Sequence, residues 1–319
     1  MPSDHGDVQS PNTSDEHPLK SPALKPAGEL TGFVLLGVTA LFFGAAPTFA
    51  KVAFDGGIDA LSLQVFRFTI TFAAVLLMVL VDRHLPRIKR RHLLRLLMLA
   101  ICTAVSSFCY MTAVRHVSVA VASLTFFTFP LMVGLMSHFL GTDRLGWRKS
   151  LAIIVAFAGL CLVLGGDLEL NWRGVSLAFI AGSTVAISFV LSRSLTRELP
   201  SLTISAFATG VPCILYLVVG LIKATLTFPD NTAGTIGVLG NALCYAIGLV
   251  CLYGSIARLG ALRTAILINV EPLVSVAAAF LILGQTIGLL QMAGALIVIL
   301  GIFLITTDPE SRSNAKQSD

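Results

Sequence analysis

The sequence contains few charged residues. Asp, Glu, Lys and Arg make up 12% of the chain, against about 25% in ordinary soluble domains. Hydrophobic residues make up 55%, and the mean hydropathy is +0.87. These values exclude a soluble globular protein and predict a membrane protein with many spans. No segment alternates apolar and polar residues, so a transmembrane barrel is excluded and an all-α fold remains.

Catalytic and metal-binding motifs are also missing. The six cysteines show no Cys-x-x-Cys spacing, and they lie within apolar runs, so we expect neither a disulfide framework nor a metal site. The chain has no phosphate loop, zinc helix or nucleophile elbow. We therefore expect no enzyme and no cofactor. The net charge of +5 does not indicate a nucleic-acid partner, because the basic residues lie between apolar runs.

The apolar runs define the predicted architecture. Counting runs of about 20 apolar residues gives ten candidate transmembrane helices. A polar tail, residues 1–29, precedes them and is predicted to be disordered, and a second tail, 308–319, follows. The spans are 30–52, 60–81, 94–114, 119–140 and 150–165 in the first half, and 174–195, 202–222, 234–257, 262–283 and 287–306 in the second.

Basic residues predict the orientation in the membrane. With a cytoplasmic N-terminus, 17 of the 22 Lys and Arg residues fall in cytoplasmic segments, as the positive-inside rule requires. External segments keep only Lys51, Arg115, Arg173 and Lys223, and Arg67 lies within a span. We therefore predict a multi-pass protein of the plasma (inner) membrane with both termini in the cytoplasm.

Uncommon residues recur at an offset of 142 positions, which predicts an internal repeat. Pro130 corresponds to Pro272 in this way, and Lys51 to Arg193. The first repeat would cover 30–166 and the second 172–307. Each contains five spans, an odd number, so the second repeat must enter the membrane in the opposite direction. Inverted repeats are typical of secondary transporters, whose substrate sites lie near the midplane between the two halves.

Glu271 and Pro272 lie in the middle of the ninth span. A carboxylate at this depth costs about 2.5 to 3.5 kcal/mol on insertion scales. Proline removes a helical hydrogen bond, so both residues are expected to face protein or a wet cavity. One interpretation is a functional site, and the other is a glutamate neutralised by a neighbouring helix beside a proline that only kinks its helix.

The second half resembles a known family. The residues that carry the resemblance are Ala265, Glu271-Pro272-Leu273, Gly284, Gln291, Gly294 and Gly301. This series is similar to the second repeat of the EamA family in the drug/metabolite transporter superfamily. The family usually has Gly-Glu where this chain has Gly284-Gln285. The resemblance implies ten helices in two five-helix repeats, with the fifth and tenth spans at the periphery.

Polar residues within the other spans are the candidates for a substrate or coupling site. Arg67 lies about seven residues, roughly 10 Å, inside the second span, and such a guanidinium needs a partner. Glu271, a bound anionic substrate or backbone oxygens of a broken helix could supply it, for a substrate, gating or structural role. Pro130 and Pro272 are predicted to break their helices near the midplane. The candidates are Glu271, Arg67, Asn269, Asn241, Tyr245, Tyr110 and Thr128.

The leading functional hypothesis is a secondary transporter that works by alternating access. The EamA resemblance implies export of a small organic metabolite or an amino acid, and Glu271 suggests proton coupling. The alternative within transport is an exchanger of phosphorylated sugars or nucleotide sugars, which predicts several basic side chains in the cavity. A membrane-embedded sensor or scaffold is the alternative of another class. The expected partners are a small solute and the lipid bilayer, and a homodimer is left open.

The predicted orientation can be tested by labelling of introduced cysteines. In a variant without native cysteines, Lys89→Cys is expected to be protected from an impermeant maleimide in intact cells, since Lys89 lies in a predicted cytoplasmic loop. Thr232→Cys, in a predicted external loop, is the matched control and should be labelled. Labelling at position 89 in intact cells would contradict the topology.

Overall fold

The computed structural model describes residues 26–82, 88–113, 116–117, 122, 125–141, 146–163, 171–224, 226–283 and 288–306. Most of the two predicted tails, the Gly284-Gln285 pair and several loops lie outside these ranges. The first helix begins at Pro26, four residues before the predicted span. Proline is favoured in the first turn of a helix, and Glu29 within that turn accepts a hydrogen bond of 2.6 Å from Arg263.

The described chain is helical, which confirms the predicted all-α fold of a polytopic membrane protein. Seven helical stretches are long and apolar enough to cross a membrane, one of them the interrupted stretch Ala261–Ile282, and the other predicted spans are shorter helices. The helices are α1 (Pro26–Asp55), α2 (Ala60–Asp82), α3 (Arg90–Ala113), α4 (Phe129–Phe139), α5 (Trp147–Val163), α6 (Trp172–Leu195), α7 (Ser201–Lys223), α8 (Thr232–Leu259), α9 (Ala261–Leu267), a 3₁₀ turn (Ile268–Val270), α10 (Glu271–Leu283) and α11 (Leu289–Thr306).

Glycines on α8 allow it to pack closely against α1 along most of their length. A Cβ added to Gly237 would lie 2.5 Å from the backbone nitrogen of Ala53, and one added to Gly254 would lie 2.9 Å from Leu35. The residue numbers of the contacts on α1 fall as those on α8 rise, so the two helices run antiparallel. Small residues permit such backbone contact between helices in a membrane, where van der Waals packing drives association.

Helices α2 and α7 also pair across the two halves and run antiparallel. Gly210 faces the ring of Phe72, and Gly220 faces Val65. Helix α3 packs against α6, and α5 packs mainly against α11. In the two repeats α1 corresponds to α6, α2 to α7, α3 to α8 and α5 to α11. If each helix is replaced by its counterpart, the pair α1·α8 becomes α6·α3, and the pairs α2·α7 and α5·α11 stay the same. The helix pairs therefore have the two-fold relation that the offset of 142 residues predicts.

Loops that were predicted to share a side of the membrane meet in the structure. The backbone N–H of Asp230, before α8, donates to the carbonyl of Gly56, after α1, at 2.9 Å. The N–H of Asp59 donates to Thr227 Oγ1 at 2.9 Å. These contacts agree with the grouping of the loops, whereas the side that faces the cytoplasm stays a prediction.

A charged cluster joins the start of α3 to the loop after α6. The Glu198 carboxylate lies 2.5 Å from Arg91 Nη2 and 2.8 Å from His92 Nε2. It lies 3.6 Å from Arg95 Nη1. The hydrogen bond from His92 lowers the pKa of Glu198, and the charge of Arg91 adds to this, against the desolvation that would raise it. The cluster links the first half to the second at one end of the α3·α6 pair.

The close packing of α1 and α8 predicts a specific sensitivity to added volume. Gly237→Ala is expected to lower the melting temperature in detergent, because the added methyl group meets α1 backbone and overpacking costs about 1 to 3 kcal/mol. Gly37→Ala is the matched control. Gly37 lies on α1 itself, and a Cβ there would meet nothing within 4 Å. Equal melting temperatures for the two variants would contradict the described packing.

The Glu198 cluster predicts a pH-dependent contribution to stability. A carboxylate whose pKa is lowered on folding stabilises the fold fully above its unfolded value, about 4.3, and loses this effect as the pH falls through the folded value. Glu198→Gln should therefore melt below the wild type at pH 7, and the difference should shrink in acid. A difference that stays constant from pH 7 into the acid range would contradict the role of this carboxylate charge.

Candidate functional site

The helices of the two halves enclose a cavity of about 220 Å³. Its wall is formed by α1, α2, α3, α6 and α8, and by the two segments that precede α4 and α10. Most of the lining is apolar, and aromatic rings dominate it. The aromatic lining residues are Phe43, Tyr110, Phe126, Phe127, Phe129, Phe189, Tyr245 and Tyr253. A largely apolar cavity with a few polar groups is the usual form of a small-molecule site.

Arg67 supplies a positive charge on the cavity wall. Its side chain is 8% exposed, and its Nη2 donates to Ser107 Oγ at 2.8 Å. The guanidinium lies 4.1 Å from the ring centre of Tyr245 and 5.1 Å from that of Phe68. Such cation–π contacts stabilise a guanidinium and fix its plane. Its Nε has no hydrogen-bond acceptor within the described residues.

Ser107 and Gln64 complete the surroundings of Arg67. Gln64 Nε2 also donates to Ser107 Oγ, so one hydroxyl holds two side chains from α2. Gln64 is 3% exposed, and its Oε1 has no partner in the described part of the chain. This amide did not stand out in the sequence, because a single glutamine in an apolar run gives no recurring pattern.

Glu271 contributes a carboxyl group to the same wall. It is the first residue of α10 and follows the 3₁₀ turn that interrupts the ninth span. Helix α1 approaches it at Gly44, where an added Cβ would lie 2.8 Å from the Glu271 carbonyl oxygen. No ion pair joins Glu271 to Arg67 in the ranges that the structure describes. Of the three partners expected for Arg67, the glutamate is not in contact with it here.

The two prolines occupy corresponding places in the two halves. Pro130 is the second residue of α4, after the turn that includes Thr128. Pro272 is the second residue of α10. A proline is tolerated in the first turn of a helix, where its missing N–H would have no acceptor. Both proline-led helices therefore begin beside the cavity, at Phe129 and Glu271.

The polar candidates separate into two groups. Asn241 lines the cavity, and its Nδ2 donates to the Ala46 carbonyl of α1 at 2.8 Å, next to Pro47. Its Oδ1 has no partner among the described residues. Asn269 donates instead to the Ile266 carbonyl at 2.9 Å, within its own segment. Thr128 Oγ1 donates to the Thr125 carbonyl at 2.7 Å.

Five of the seven candidate residues line the one cavity: Glu271, Arg67, Asn241, Tyr245 and Tyr110. Asn269 and Thr128 do not, and their side chains bond the backbone of the segments on which they lie. The sequence analysis also missed the phenylalanines of the wall. Three of them lie just before Pro130, in the run Phe126-Phe127-Thr128-Phe129. Their position beside a predicted helix break could have identified them as cavity residues.

A polytopic helical protein with inverted halves around a polar-aromatic cavity belongs to the general class of membrane transporters. The EamA-like transporter family matches this chain twice, over residues 30–165 and 172–307. The two matches cover most of the chain. The protein therefore belongs to the EamA-like transporter family.

Curated relatives are described as transporters without a stated substrate. An uncharacterized transporter of Archaeoglobus fulgidus is 23% identical over 282 residues, which is 86% of this chain and 98% of the relative. The uncharacterized transporter YcbK of Bacillus subtilis is 25% identical over 66% of this chain and 70% of its own length. A solved structure described as "Crystal structure of protein" has a TM-score of 0.75 at 17% identity, covering 88% of this chain and 98% of that one. This last likeness concerns the fold alone.

Proposed function

We propose that the protein is a proton-coupled secondary transporter that exports a small organic solute, a metabolite or an amino acid, by alternating access. The observation that carries this proposal is one cavity between the two halves with Arg67 and Glu271 unpaired on its wall. Packing alone does not favour ionisable groups without an ion-pair partner in a largely apolar cavity, because each loses part of its hydration. A binding role supplies the missing partners.

The arrangement of the halves supports alternating access. Helices α1 and α2 run antiparallel to their partners in the second half, as inverted repeats require. The helices that follow the two breaks, α4 and α10, begin at the cavity and come from opposite halves. A transporter of this kind can exchange the roles of its halves and so open the same site to either side of the membrane.

Proton coupling is proposed at Glu271. A carboxylate in an apolar, partly enclosed space needs a compensating cation or must take up a proton. The other charged or titratable side chains on the cavity wall are Arg67, Tyr110, Tyr245 and Tyr253, and α1 contributes only apolar residues to it. Glu271 is thus the carboxylate on this wall at which proton uptake and solute binding can be linked.

The exchanger of nucleotide or phosphorylated sugars is less well supported. It predicts several basic side chains at the cavity, whereas Arg67 is the basic residue among the described lining residues. Lys51 lies 3.3 Å from Asp55 and is more than half exposed. The volume of about 220 Å³ is also below the roughly 300 to 1,000 Å³ of pockets for drug-sized ligands.

The membrane and the oligomeric state are part of the proposal. A plasma (inner) membrane location with cytoplasmic termini follows from the distribution of basic residues. A homodimer could use the outer faces of α5 and α11, whose exposed apolar residues include Ile154 and Leu296. Helix α5 packs against α11 within one chain, with Gly159 against Val298, so these two helices do not need a second copy to be paired.

Glu271→Gln is the variant that tests the coupling role. In proteoliposomes, with a radiolabelled solute that raises the melting temperature of the purified protein, the variant should still exchange solute across the membrane. It should not accumulate solute in response to an imposed pH gradient, because the amide cannot take up and release the proton. Glu29→Gln is the matched control, since Glu29 lies outside the cavity and pairs with Arg263. Accumulation by the Glu271 variant with the wild-type pH dependence would contradict coupling at this residue.

A further inference from the structure

Arg193 joins two wall helices at one end of the cavity. It lies in the last turn of α6, directly after Ser192, which lines the cavity. Its Nη1 donates to the carbonyl of Ile256 in the last turn of α8 at 3.4 Å, and Ile256 also lines the cavity. A Cβ added to Gly260, which follows α8, would lie 3.4 Å from the guanidinium carbon. The side chain therefore spans from α6 to α8 at the edge of the cavity.

The Ile256 carbonyl is a suitable acceptor for a cation from another helix. The carbonyls of the last helical turn lack acceptor partners further along the helix, and they form the negative end of its dipole. The N–H of Gly260 donates to this carbonyl at 3.0 Å, which leaves its second lone pair for Arg193. Because donor and acceptor belong to different helices, the contact is lost when α6 and α8 separate.

Lys51 is the counterpart of Arg193 at the offset of 142 residues. It follows Ala50, which lines the cavity as Ser192 does. Its contacts are different, however. Lys51 lies 3.3 Å from Asp55, one turn further along α1, and its side chain is 54% exposed. The lysine is thus paired within its own helix and exposed, although its position in the repeat is that of Arg193.

The two cations lie toward opposite ends of the cavity. The end of α1 meets the start of α8, with Gly56 against Gly234, so Lys51 is near the start of α8 and Arg193 is near its end. Helices α6 and α8 pack against each other, whereas their counterparts, α1 and α3, pack less closely within the described ranges. A side chain therefore joins the wall helices at the Arg193 end, and Lys51 joins none among the described residues.

We propose that Arg193 and Lys51 close the two ends of the cavity in alternation. In the conformation described here Arg193 holds α6 to α8 at the end predicted to be cytoplasmic. In the second conformation Arg193 releases the Ile256 carbonyl, and Lys51 leaves Asp55 to donate to carbonyls in the last turn of α3, which ends at Ala113. Inverted repeats that exchange conformations exchange the contacts of equivalent residues. This inference rests on the proposed alternating access and deepens it.

Cysteine accessibility from each side of the membrane tests the proposal. The parent protein carries Ser188→Cys on the cavity wall, has no native cysteines and is held in oriented sealed vesicles. An impermeant maleimide is added on either side, and the ratio of the cytoplasmic to the external reaction rate is measured. Arg193→Met should raise this ratio about threefold or more, because a hydrogen bond made in one state alone shifts the balance between the states. Lys51→Met should lower it to a similar extent.

Each variant has a matched control that removes a cation at the same end of the protein. Arg258→Met serves for Arg193, since Arg258 donates to the Gly254 carbonyl of its own helix at 2.9 Å. Lys223→Met serves for Lys51, since Lys223 is exposed at the end of α7. Both controls should leave the ratio unchanged. Arg193→Lys keeps a cation that can reach α8, and it should return the ratio toward that of the parent protein.

Shifts of the ratio in the same direction in the two variants, or no shift in either, would overturn the inference. A structural role alone would lower the melting temperature without opposite changes in sidedness. If Arg193→Met fails to fold, the exposed Lys51 and the conservative Arg193→Lys variant still give the test. Reaction of the parent protein from the external side alone would refute alternating access. Arg193→Met would then still decide whether this residue closes the cytoplasmic end, so the two failures can be distinguished.

Discussion

Arg67 and Glu271 are ionisable groups of opposite sign inside the membrane-spanning part of the protein, and no ion pair joins them within the described ranges. A charge in a medium of low polarity must be compensated by an ion, a proton or a set of hydrogen bonds. Arg67 is partly compensated by Ser107 and by two aromatic rings. Glu271 has no side-chain hydrogen bond or ion pair within the described ranges. On the proposed function, a solute or a proton that enters the cavity completes the site.

The fold places both side chains on the wall of one cavity. Glycine contacts hold α1 against α8, so the two halves are joined close to the cavity wall. The breaks at Pro130 and Pro272 place the first turns of α4 and α10 at the cavity. The charge on α10 therefore lies on a helix that begins at the site, whereas Arg67 lies within the continuous helix α2. Movement of one proline-led helix relative to the paired helices would change the surroundings of Glu271 more than those of Arg67.

Much of the fold followed from the sequence, because span length and the offset of 142 positions depend on the order of residues along the chain. The orientation drawn from the basic residues stays a prediction. The residues that are costly in a membrane, Arg67 and Glu271, were also recognised, since their cost does not depend on tertiary contacts. Asn269 and Thr128 do not line the cavity. Whether an amide or hydroxyl faces a cavity or its own backbone depends on a local helix break that apolar patterning does not record. The same limitation concealed Gln64 and the phenylalanine wall.

Alternating access requires one cavity between the two halves to open to each side of the membrane in turn. Cysteine accessibility tests it most directly, in oriented sealed vesicles and in a variant without native cysteines. Ser188→Cys, on the cavity wall, should react with an impermeant maleimide from either side. Leu215→Cys, on the outer surface of α7 at 44% exposure, should react from neither side because it faces lipid. Reaction of Ser188→Cys from only one side, or from none, would contradict alternating access to this cavity.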